Sequence, residues 1–93
     1  MNFSKLKFGD TIGIIGGGQL GKMMAQSAQK MGFKVICLDP NPDSPCKSVA
    51  HEFITAAYDD EEALHELGEK SDVITYEFEN ISAEQLIRLT QKF

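Results

Sequence analysis

The sequence predicts an α/β domain built on a parallel sheet with helices on both faces. Three observations carry that expectation. Short apolar runs of strand length alternate along the chain with amphipathic runs of helical spacing, the pattern that calls for right-handed crossovers over a parallel sheet. The stretch "GIIGGGQLGKM" (13–23) joins the first apolar run to the first helical one through three consecutive glycines. The second apolar run ends on an acidic residue, Asp39, at the distance from that turn expected of a nucleotide-binding βαβ unit.

The elements follow in order. "TIGIIG" (11–16) is rich in isoleucine and stopped by glycine, as in a strand buried on both faces. From Gln19 to Met31, Leu20, Met23, Met24, Ala28 and Met31 recur at helical spacing with Lys22, Gln26, Gln29 and Lys30 between them. This predicts a helix with the methionines in its core face and Gly32 as its C-terminal cap. "FKVICLD" (33–39) is the second strand, and "PNPDSP" (40–45) an exposed extended loop, since three prolines forbid helix or central strand. "EFITAA" (52–57) reads as a third, shorter strand. "DDEEALHELGEK" (59–70) reads as a helix capped by Asp59 with Glu62 three residues on, its acidic run matching the positive end of the helix dipole. "DVITYEFEN" (72–80) is a fourth strand, and "SAEQLIRLTQKF" (82–93) opens another helix with Ser82 and Gln85 as capping box. The whole is a Rossmann-like sheet with expected strand order 3-2-1-4.

Composition excludes several classes of function. At 93 residues the chain fits one domain, and 42% hydrophobic with 25% charged residues is the balance of an ordinary globular protein. A net charge of −5 without a basic run lacks the footprint of a nucleic-acid binder. No apolar run is long enough to span a bilayer or serve as a signal peptide, so a cytoplasmic protein with no membrane partner is expected. Cys37, inside "VICL", and Cys46, in the proline-rich loop, have neither metal-ligand spacing nor a disulfide framework and are expected as two reduced thiols. His51 and His65 stand apart from them and from each other, so no metal site is expected.

The glycine turn holds the functional question. Gly16, Gly18 and Gly21 satisfy GxGxxG after a strand and before a helix, which asks for a tight turn, a surface free of side chains and amides facing a ligand. With Asp39 on a ribose hydroxyl, the turn fits the dinucleotide-binding domain of an NAD(P)- or FAD-dependent oxidoreductase. A sterically required turn with no ligand is the other plain reading. "YEFEN" shifts the balance. Glu77 and Glu79 alternate with Tyr76 and Phe78 and so share one face at the end of the fourth strand, beside the turn across the topological switch. A carboxylate there repels a pyrophosphate but accepts hydrogen bonds from ribose hydroxyls or an amino group. The same glutamates also fit a solvated strand end.

"IGIIGGGQLGKMMAQSAQKMGFKVICLDPNPDSPC", then "VAHEFITAAYDD", then "DVITYEFENI" resemble, over residues 10–90, the N-terminal domain of the 5-(carboxyamino)imidazole ribonucleotide synthases, ATP-grasp ligases of purine biosynthesis. GGGQLG, LDP with a nearby SP, and TYEFEN in this order form a specific set. The resemblance implies an ATP-dependent ligase that joins bicarbonate, by way of carboxyphosphate, to the exocyclic amine of aminoimidazole ribonucleotide. It implies that residues 1–93 are a Rossmann-like pre-ATP-grasp domain, and that ATP and Mg bind mainly on further domains outside this chain. The fragment alone is then expected to be inactive, and the full-length enzyme a homodimer. Gln19, Leu20 and Glu77 match family positions near the ribonucleotide. The open turn adds Gly18, and Glu79 and Asn80 are second choices on the strand end. Lys22 is the one basic residue near the turn, so the ribonucleotide's phosphate is expected to find its main countercharges on the other domains.

Overall fold

A computed structural model describes residues 6–76. They form a four-stranded parallel sheet in the order β3-β2-β1-β4, the order expected from the sequence. β1 (Thr11–Ile15) lies between β2 (Lys34–Asp39) and β4 (Val73–Tyr76), pairing Ile14 with both Cys37 and Thr75. Among the described residues, β3 (Glu52–Thr55) pairs only with β2, Asp39 standing opposite Thr55.

Strand alternation divides the core. Ile12 and Ile14 of β1 and Val35 and Cys37 of β2 meet α1 (Gln19–Lys30) on one face. Ile15, Ile36 and Leu38 meet Ala63, Leu64 and Leu67 of α2 (Glu61–Lys70) on the other. Helices thus cover both faces, as a sheet of near-continuous apolar strands requires.

The buried face of α1 matches the expectation at Ala28 and departs from it elsewhere. Gly21, Ala25 and Ala28 are buried, whereas Leu20, Met23 and Met31 are 48%, 59% and 63% exposed. Of the three described methionines, Met24 alone packs partly against the core. Three small residues let the helix axis lie close to β1, which turns the longer side chains outward. Met23, Met24 and Met31 instead line an apolar groove with Leu6, Ile12 and Phe33. The end of α1 matches the expectation. Gly32 adopts φ +92°, its N–H donates to Gln29 O at 3.0 Å, and Phe33 N–H donates to Ala28 O at 3.0 Å, the paired bonds of a Schellman motif.

The link from β2 to β3 corrects two expectations. Pro40 to Asp43 are exposed, but Ser44 and Cys46 are buried, because a 3-10 helix (Pro45–Ser48) folds the chain back over the α1 face of β2. That fold places Cys46 against Cys37, and the two are joined as a disulfide rather than left as separate thiols. Spacing along the chain could not anticipate a contact made by the return of the loop. At α2 the cap is Asp60 and not Asp59. Asp60 Oδ1 accepts from Ala63 N–H at 3.1 Å, so the cap lies one residue later than expected and Glu62 is not the third residue of a capping box. The chain from Glu77 onward, including the expected end of the fourth strand and the helix at 82–93, lies outside the described residues.

Candidate ligand-binding turn

The turn is built by four glycines with separate tasks. Gly16 carries the reversal out of β1 at φ +110°, a left-handed conformation that L side chains resist, and its N–H donates to Leu38 O at 2.8 Å. Gly17 packs against β2 and the 3-10 helix. A β-carbon on it would stand 2.7 Å from Ser44 Oγ and 3.2 Å from the β-carbons of Asp39 and Cys46. Gly21 touches the turn from inside α1, where an added β-carbon would fall on the Gly16 carbonyl oxygen.

Gly18 differs from these three. It is the N-cap of α1 at φ −70° and ψ −163°, supplies no side-chain cap, and has nothing within 4 Å of the place a β-carbon would occupy. The first intrahelical bond is Lys22 N–H to Gly18 O at 2.9 Å, so the amides of Gln19 and Leu20 precede the helical ladder. They lie at the positive end of the helix dipole, on two exposed residues. The structure therefore brings Gly18, Gln19 and Leu20 to one place. Glu77, Glu79 and Asn80 lie outside the described residues, but Tyr76 pairs with Ile15, the residue before the turn, as the expected strand order requires.

Asp39 does not take the position expected of a ribose ligand. It is 8% exposed, and both its oxygens are engaged by the protein. Oδ2 accepts from Gly17 N–H at 2.7 Å and from the Tyr58 hydroxyl at 2.9 Å, while Oδ1 accepts from Asn41 N–H at 2.8 Å. Burial, the bond to Asp39 and that carboxylate's charge push the Tyr58 hydroxyl well above the ordinary phenol range, so it stays a donor. Cys46 N–H donates to Gly17 O at 2.8 Å, so the Gly17 residue is held through its N–H and its carbonyl from the same side. Sequence reasoning missed Tyr58. The available signal was parallel pairing, which brings the end of "EFITAAY" to the same edge of the sheet as Asp39.

Among the described residues, no three His, Cys, Asp or Glu side chains are grouped so that they could hold a metal ion. No described helix is long and apolar enough to cross a membrane.

Residues 9–93 match the family model of the ribonucleotide synthetase preATP-grasp domain. The N5-carboxyaminoimidazole ribonucleotide synthase of Staphylococcus haemolyticus is 99% identical across all 93 residues, which span 25% of that protein. The crystal structure of the Staphylococcus aureus N5-carboxyaminoimidazole synthetase complexed with ADP superposes with a TM-score of 0.85 at 75% identity, over 99% of this chain and 25% of that one. The Aspergillus clavatus synthase in complex with ADP and 5-aminoimidazole ribonucleotide superposes with a TM-score of 0.70 at 30% identity, over 89% of this chain and 22% of that one. The chain thus spans about a quarter of the length of these relatives.

Proposed function

Because the chain belongs to the ribonucleotide synthetase preATP-grasp family, we propose that it is the ribonucleotide-binding domain of an ATP-dependent ligase that carboxylates aminoimidazole ribonucleotide with bicarbonate. The observation that carries this reading is the open turn, where Gly18 leaves room and the amides of Gln19 and Leu20 precede the helical ladder. These amides suit hydrogen bonding to the ribose or imidazole of a mononucleotide. Glu77 follows Tyr76 at the strand beside the turn and is assigned the complementary acceptor role, with Glu79 and Asn80 as alternatives. The chain's contribution to the reaction is to bind the ribonucleotide and hold its amine in place. ATP supplies the activation of bicarbonate.

We place magnesium and ATP on the part of the relatives' length outside residues 1–93, as the family resemblance implies. A cytoplasmic homodimer of the full-length protein completes the proposal. The dinucleotide-domain reading is not favoured, since Asp39 turns inward to Gly17, Asn41 and Tyr58.

Glu77→Gln in the full-length synthase tests the site. Exchanging a charged acceptor for a neutral one of the same shape is expected to cost about 1–3 kcal/mol, roughly a five- to hundredfold loss of ribonucleotide affinity. The KM for ATP should stay nearly constant. A defect confined to ATP would move Glu77 to the nucleotide site, and no defect would return it to a solvated strand end. The 93-residue chain by itself is expected to release no phosphate from ATP, with or without ribonucleotide and bicarbonate. Substrate-dependent turnover by the fragment, abolished by a substitution in the turn, would overturn the placement of ATP elsewhere.

A further inference from the structure

We propose that Asp39 and Tyr58 are positioning residues for the ribonucleotide, holding the Gly17 peptide so that the amides of Gln19 and Leu20 are presented at a fixed angle. The inference rests on the proposed function and deepens it.

The geometry supports a clamp. An ionised carboxylate has about four acceptor positions. Asp39 uses three on the protein, two of them backbone N–H groups at 2.7 Å and 2.8 Å, the distances of charge-assisted bonds. One of these backbone groups is Gly17, immediately before the N-cap of α1. Tyr58 reaches the same Oδ2 from beyond β3, so the carboxylate is fixed from the turn, from the following loop and from the neighbouring strand end. Gly17 has no side chain through which it could be held. Its orientation depends on Asp39 at its N–H and on Cys46 N–H at its carbonyl.

The clamp also bears on specificity. In a dinucleotide domain the acidic residue at the end of the second strand accepts from a ribose diol. Here that carboxylate is buried and committed, and the chain from Asn41 to Ser48 folds back against Gly17. An acceptor that would favour a second nucleotide half is thereby converted into support for a turn that takes a mononucleotide.

The test is steady-state kinetics of the full-length synthase carrying this domain, varying ribonucleotide and ATP separately, for Tyr58→Phe and Asp39→Asn. Tyr58→Phe removes one donor from Asp39 and is expected to raise the KM for ribonucleotide about threefold. Asp39→Asn weakens the bond to Gly17 and cannot also serve Asn41, and is expected to raise it about tenfold or more. In both, the KM for ATP should stay within about twofold, a split that a general loss of folded enzyme does not produce. An unmoved ribonucleotide KM in both variants, or both KM values rising together, would overturn the role of the clamp while leaving the ligase reading intact. Absence of ribonucleotide-dependent ADP formation in the unsubstituted enzyme would overturn both. If Asp39→Asn does not fold, Tyr58→Phe, which preserves both backbone bonds to the carboxylate, decides alone.

Discussion

Gly18→Val is expected to leave the domain folded and to lower the affinity of the full-length synthase for aminoimidazole ribonucleotide by about a hundredfold or more. The two halves of that expectation come from different facts. Gly18 has φ −70° and an extended ψ, a conformation that valine adopts without strain, and nothing lies within 4 Å of its would-be β-carbon. The substitution should therefore cost only the difference between N-cap residues, about 1 kcal/mol. The added side chain would stand in the open space at Gly18, where the proposed binding mode brings the ligand close. Titration calorimetry with the ribonucleotide and a thermal melt of the same sample check the two halves. Unchanged affinity with an intact fold would remove the turn from the site, and a collapsed melt would assign the loss to folding.

Gly21→Ala is expected to have the opposite character, with a loss of stability of about 3 kcal/mol, the upper part of the range for overpacking. In an exposed helix the same change gains about 1 kcal/mol, because alanine is the better helix former. Here the new β-carbon would land on the Gly16 carbonyl oxygen, a backbone atom fixed by the turn. The helix must lift, and the close packing of Ala25 and Ala28 on β1 and β2 is lost with it. A drop of that size corresponds to about 12–24 °C in the melting temperature of a domain this small. Circular-dichroism melts of the chain measure it. A melting temperature equal to or above that of the parent would mean that α1 can shift without penalty.

These two glycines mark how far the sequence was legible. Strand order and the place of the turn followed from periodicity and from glycine spacing, since both are local signals with one consistent topology. The burial of α1 did not, because hydrophobicity ranks methionine above glycine and alanine while close approach to a sheet ranks them the other way. Gly21, Ala25 and Ala28 at intervals of four and three were the available sign. Asp39 was singled out but given the wrong neighbours. Its partners come from the turn, from the next loop and from Tyr58 across the sheet, and only the folded chain brings those together. The pairing of Cys37 with Cys46 was hidden for the same reason.

The outer strand β3 has a bearing on solubility. An unpaired strand edge invites a neighbouring chain to add to the sheet, and the risk grows with the length and flatness of the edge. β3 is only four residues long and begins at Glu52, whose carboxylate meets Lys70 Nζ at 2.8 Å. Lys70 also reaches Glu66 at 3.0 Å. Exposed pairs of this kind add little to folding stability. Their effect is on association: an incoming strand would have to approach a charged group already engaged with α2, along an edge too short to repay the displacement. Within the described sheet, a short edge that opens on an engaged charge is expected to offer a second copy of the chain little to pair with.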